Sequence, residues 1–294
     1  MSKVLGLALG ILLIVILFYS VDMESMIDSF YRISWLKFLV FFLFSFVLIG
    51  ISALKWLELY RLQGINCSYG DVFLWYFYSY FAGMLLPLGF VGADLARVQL
   101  AKKLSGYEGS VSTVLQDRYS GFLVMFFIGS ILCFLSWRIP PSIAGVSALI
   151  FLAGVVLPIL IDVVPILQRF AKLGFIFRDF STGQIKVLMY SALFYASAVL
   201  NIVLGGWVIG FEIKSILDLA ALLPLVLLAS SLPISPQGLG VQEGFYFFLF
   251  QFVGGTKEES LLLALLLRFK VVLLGVASGL VFLIRLWRNK KEII

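Results

Sequence analysis

The chain has 294 residues, 62% of them hydrophobic and 13% charged, with 22 Lys and Arg against 16 Asp and Glu and no histidine. That balance excludes a soluble globular domain, and the missing imidazole removes the commonest general base and transition-metal ligand. The net charge of +6 is scattered over the ends of apolar stretches, which is a positive-inside pattern rather than a nucleic-acid surface.

In chain order, the first uncharged run is Val4–Val21. It is longer than a signal peptide's apolar core and ends in Ser20-Val21-Asp22 rather than a cleavage site of small residues, so it is expected to stay as a span. Phe38–Leu54 follows, then Val72–Ala93, which runs into the interrupted stretch LPLGFVGADLAR at Leu86–Arg97. Tyr119–Trp137, Ile139–Ile161 and Val187–Phe211 are three more uncharged runs. The polar connection over roughly 162–186 is too short for a soluble catalytic domain. From Leu219 to Thr256 the one charge is Glu243. That stretch exceeds the roughly 20 residues of one crossing and is broken by Pro233, Pro236, Gly238 and Gly240 in LPISPQGLGVQEG at Leu232–Gly244.

Pro87 and Pro233 are 146 residues apart, so each half of the chain holds one broken segment at a matching place. Gly/Pro-interrupted segments in corresponding positions point to the binding site of a transporter. The expected fold is an all-α polytopic membrane protein with six full transmembrane helices, about 4–21, 36–57, 109–137, 142–162, 187–210 and 258–285. Two re-entrant broken helical hairpins complete it, for eight hydrophobic segments in an inverted repeat. One integral-membrane domain then covers 1–294, with pseudo-repeat halves 1–140 and 141–294. In the first hairpin Val72–Leu85 descends and Asp94–Leu104 returns. With the amino terminus inside, this arrangement puts Lys3, Lys55, Arg61, Arg97, Lys102, Lys103 and the basic carboxy-terminal residues on the cytoplasmic side. Both termini are expected in the cytoplasm, and the host is expected to be the cytoplasmic membrane. Three full spans separate the hairpins, so the two enter from opposite faces.

Ionisable residues within spans mark function by default. Asp94 and Glu243 each sit in the first turn of a half-helix after a glycine loop, and an arginine beside an aromatic follows 24 or 25 residues later, as Arg118-Tyr119 and Arg268-Phe269. With Arg97, Asp117 and Lys270 they form a small polar set in which cations outnumber carboxylates by one. Two bland readings stand beside a ligand site. The carboxylates can serve as helix caps, with Asp94 and Arg97 a local pair. Arg118 and Arg268 can pair with Glu243 and Asp94 across the repeat interface. Lys270 can snorkel toward the membrane surface. Pro87, Gly89, Gly92, Pro233, Pro236, Gly238 and Gly240 have a backbone role, since half-helix amino termini freed at depth can cradle a phosphate. Ser235 offers a hydroxyl. The aromatic runs Trp75–Tyr78 and Phe245–Phe248 are packing surfaces or a groove for acyl chains. Cys67 and Cys133 are distant single thiols with no metal spacing, and no metal or cofactor is expected.

At LPLGFVGADLARVQLAKK, VLQDRYSG and above all LPISPQGLGVQEG, the chain resembles the lysylphosphatidylglycerol synthase transmembrane-region family, also called the flippase-like domain family. The likeness extends from the first span to Arg285. The chain departs from the family's usual pattern at Leu88, Phe90 and Gln237, where glycine is common, and at Gln242, where Arg or Lys often stands. The resemblance implies lipid translocation without the synthase activity of a fused soluble enzyme. It implies roles for Pro87, Gly92, Asp94, Arg97, Arg118, Pro233, Ser235, Gly238, Gly240, Glu243 and Arg268. The expected function is a flippase for an anionic phospholipid or a lipid-linked phosphate, with Asp94, Arg97, Arg118, Ser235, Glu243 and Arg268 at the substrate and no catalytic residue. No nucleotide-binding loop is present, so transport is driven by a gradient or by equilibration. Membrane lipids are the expected partners, with a separate lipid-modifying enzyme as a further one. Two rival readings are a non-transporting membrane partner of such an enzyme, and an intramembrane lipid-modifying enzyme.

Overall fold

The computed structural model describes residues 3–31, 33–85, 90–163, 182–231, 235 and 238–291. Among the described residues there are ten helices and no strand: α1 (Lys3–Tyr19), α2 (Met23–Tyr31), α3 (Trp35–Leu62), α4 (Tyr69–Leu85), α5 (Phe90–Leu135), α6 (Pro141–Val163), α7 (Thr182–Ile209), α8 (Ile216–Ser231), α9 (Val241–Phe252) and α10 (Lys257–Lys291). Trp35–Leu62, Ser110–Leu135, Thr182–Ile209 and Lys257–Trp287 are each long and apolar enough to cross a bilayer, and the described part of α6 is a shorter apolar helix. The chain is a multi-pass membrane protein. Residues 23–31, expected as an external loop, form a helix instead. The axis bends by 91° between α1 and α2, and Met26 packs on a cluster of Leu17, Phe247 and Leu261.

In lipid, hydrophobicity does not decide which face of a helix turns inward; small and polar residues do. Helix α3 shows this. Leu36, Leu39, Leu43 and Val47 are exposed, while Phe41, Ser45, Ile49, Ala53, Trp56 and Tyr60 are buried at helical spacing. Its partner is α7, which runs antiparallel to it. A Cβ on Gly205 would touch Phe41, and one on Gly183 would touch Leu62 and Glu58. The two helices occupy corresponding places in the two halves, so the halves run in opposite directions through the bundle.

The helices that precede the two breaks, α4 and α8, each pack at a glycine of a longer helix. Helix α8 lies on α5, where a Cβ on Gly129 would meet Pro224 at 2.7 Å, and α4 lies on α10, where one on Gly279 would meet Phe81 at 2.5 Å. Gly129 and Gly279 are 150 residues apart, the same separation as Arg118 and Arg268.

The returning half-helix of the first hairpin and the span after it were expected as two elements, and α5 is assigned as one helix of 46 residues. A straight helix would put Asp94 about 36 Å from Arg118 at about 1.5 Å per residue. The two side chains are hydrogen-bonded at 2.8 and 2.9 Å, so α5 doubles back between these two residues. The second hairpin achieves the same juxtaposition with a break at 253–256 between α9 and α10.

Candidate functional site

Of the loop residues singled out from the sequence, Pro87, Gly89, Pro233 and Pro236 lie outside the described residues. Gly92 stands in the first turn of α5 rather than in a loop. Gly238 and Gly240 have φ of +67° and +76°, a conformation that favours glycine. Gly240 also meets α1 backbone to backbone: a Cβ there would come within 2.3 Å of the Gly10 carbonyl. The first helix therefore closes over the second break, and this contact requires glycine on the loop side. Ser235 is buried, and its hydroxyl donates to the Leu239 carbonyl at 2.7 Å, so it braces the loop.

The first half builds a continuous charge network. Asp117 accepts from Arg97 at 2.9 Å and from the Tyr76 hydroxyl at 2.5 Å, and Lys55 reaches both its carboxylate and its backbone carbonyl at 2.8 Å. Asp94 pairs with Arg97 and takes a two-pronged bond from Arg118, the geometry in which a guanidinium holds a carboxylate best. Arg97 is 1% exposed and stacks 4.4 Å from the Tyr76 ring and 5.2 Å from the Trp56 ring. Its guanidinium is engaged by Asp94, Asp117, Tyr76 and Trp56. Arg118 differs, because 42% of its side chain remains exposed.

Lys55 was grouped with the cytoplasmic charges on sequence. In the structure it is buried within α3 and faces Asp117. The aromatic run Trp75–Tyr78 packs inward: Trp75 meets Trp56 and Tyr60, Phe77 meets Phe46 and Tyr78 meets Phe282. Phe245 and Phe248 are exposed on α9. Next to Arg118 on α5, Tyr119 borders an apolar cavity of about 330 Å³ between α5, α6 and α8, lined also by Phe122, Phe126, Phe151, Gly154 and Leu228.

The second half repeats the carboxylate–arginine pair but not the network. Arg268 donates to Glu243, and the other oxygen of Glu243 accepts from the Gly240 amide at 2.7 Å. Glu243 is at once a helix cap and an ion-pair partner. Both pairs therefore form within a half, Asp94 with Arg118 and Glu243 with Arg268, not across the interface as the sequence also allowed. Lys270 does not snorkel: its amine donates to the Asn201 amide oxygen on α7 and lies 4.7 Å from the centre of the Phe41 ring.

Among the described residues, Lys55, Arg97 and Arg118 face Asp94 and Asp117 in the first half; in the second, Arg268 faces Glu243 and Lys270 faces Asn201. Within this polar set, the first half has three cations for two carboxylates, and the second has Arg268 and Lys270 for Glu243 alone.

The family model described as the lysylphosphatidylglycerol synthase TM region matches residues 3–279. The chain belongs to that family. Neither a curated protein nor a solved structure matches it.

Proposed function

We propose that the protein translocates an anionic phospholipid or a lipid-linked phosphate across the cytoplasmic membrane, as a transporter and not as an enzyme. One observation carries this reading: each half sets a carboxylate near the start of a helix against an arginine from the following span. Arg118 is the headgroup residue. Its side chain is 42% exposed and Asp94 holds its guanidinium in place, and phosphate is a ligand that a planar guanidinium suits. The half-open hollow beside Tyr119 is lined by apolar side chains, and an acyl chain fits that chemistry.

In this reading the two hairpins are re-entrant and gate opposite faces, and both termini are cytoplasmic. Glu243 and Arg268 form the counterpart of the Asp94–Arg118 pair and exchange partners as the second face opens. A separate lipid-modifying enzyme would supply or consume the lipid.

The test is flipping of fluorescent phosphatidylglycerol in proteoliposomes, read as the fraction of label reached by an impermeant quencher. Wild type should raise that fraction above protein-free vesicles. Arg118→Ala and Glu243→Gln should lose the gain while remaining monodisperse in detergent. A wild type indistinguishable from empty vesicles would overturn the reading.

A further inference from the structure

The second half contains a buried amine with no carboxylate. Lys270 is 7% exposed and Asn201 is 3% exposed. The Asn201 oxygen takes the Lys270 bond, and its amide nitrogen is buried without a partner among the described residues. One helical turn beyond Phe41, on the same buried face of α3, the Ser45 hydroxyl is 2% exposed and likewise has no partner among the described residues. The antiparallel packing of α3 and α7 sets Ser45 at the level of Asn201, since Gly205 meets Phe41 one turn away. Three donors thus share one layer of α3, α7 and α10, and no ion pair of Lys270 with an acidic group occurs among the described residues.

The first half shows what such a layer holds when it is complete. Lys55 precedes Asn201 by 146 residues, the separation of Pro87 and Pro233. Ser120 precedes Lys270 by 150, the separation of Arg118 and Arg268. Both layers therefore join the same two helices of the repeat. In the first, Asp117 neutralises the amine. The residue 150 further on is Leu267, which supplies no charge. A buried ammonium without a counter-charge is strongly disfavoured, and unpartnered buried donors add their own desolvation cost.

From this we infer that Lys270, Asn201 and Ser45 form a buried anion site, occupied by a halide or a phosphate oxygen that stands where the first half places the Asp117 carboxylate. The site does not depend on translocation. Its ligand is either a free anion or a lipid headgroup, which share the chemistry of a negative acceptor facing three donors.

The experiment uses purified full-length protein in neutral detergent, exchanged into gluconate at constant ionic strength, with the thermal unfolding midpoint as readout. Sodium chloride or sodium phosphate is titrated in one arm. In the other, mixed micelles containing phosphatidylglycerol are added to the Arg118→Ala variant and to its double variants, so that headgroup contact at Arg118 does not register. The expected result is a saturable rise in midpoint with at least one of these probes. The rise should be absent in Lys270→Met, which removes the charge, and in Leu267→Asp, which restores a carboxylate. A rise with chloride or phosphate assigns a free anion, and a rise with lipid alone assigns a headgroup. The inference is overturned if no probe raises the midpoint, or if either variant responds as its parent does, which would mean an adventitious ion elsewhere. Because flipping is not the readout, a protein that fails to flip lipid can still pass.

Discussion

The two halves of the bundle share a backbone and differ in how they settle their charges. Each sets a carboxylate near the start of a helix, Glu243 in the first turn and Asp94 just past it, and pairs it with an arginine 24 or 25 residues later. Each also packs the helix before its break at a glycine of a longer helix, Gly129 or Gly279. Around that shared frame the first half adds Lys55, Tyr76, Arg97 and Asp117 and becomes one network. The second keeps an isolated, capped pair, with Lys270 and Asn201 apart from it. The repeat thus preserves helix breaks and close backbone contacts more strictly than it preserves counter-charges. A charge can leave one half when something else takes its place.

That difference is open to attack at its strongest point first. Asp117→Asn removes the carboxylate that holds both Lys55 and Arg97, leaving two buried cations with less than their full complement. Breaking one member of a buried ion pair costs about 3–5 kcal/mol. A large drop in thermal midpoint and in the monodisperse fraction after solubilisation is expected, and a wild-type melting curve would show that the network contributes little. Arg268→Ala comes next. Glu243 keeps the Gly240 amide but loses its sole ion pair among the described residues, and losing a charged hydrogen bond costs about 1.5–3 kcal/mol. The matching change in the first half should cost less, because Asp94 retains Arg97. Measuring both in the same detergent tests the asymmetry directly. Gly238→Ala is smaller again: its φ of +67° costs an alanine about 1–2 kcal/mol. The sign is destabilising, readable in the same thermal scan.

Much of this frame was legible in the chain. The Pro/Gly breaks in matching places and the recurrence of a carboxylate 24 or 25 residues before an arginine marked the repeat and the residues of both pairs. The choice of partners was not legible, since both pairings satisfy charge, and only the doubling back of α5, and the packing of α9 on α10, decides between them. The inward turn of Lys55 was not legible for a general reason. A single lysine seven residues from the end of a span looks the same in sequence whether it reaches the membrane surface or turns inward. Its separation of 146 residues from Asn201, equal to that of the two prolines, is the signal that marks it as part of the interior. Lys270 was obscured by Arg268, two positions away and therefore on a different face of α10. The bend between α1 and α2 left no mark beyond Ser20-Val21-Asp22.

A less costly substitution is the most informative about function. Arg118 is half-exposed and shares its carboxylate with Arg97, so Arg118→Ala leaves Asp94 neutralised and the Asp117 network intact. The thermal midpoint should fall less than for Asp117→Asn or Arg268→Ala. If that guanidinium is what receives a phosphate, flipping of phosphatidylglycerol should nevertheless fall to the level of empty vesicles. Arg118→Lys should recover only part of it, since an ammonium keeps the charge but cannot hold carboxylate and phosphate along two edges at once. A lysine variant with full activity would mean that the pocket supplies potential alone, and an alanine variant with full activity would move the headgroup site to the second half, where Arg268 is the remaining candidate.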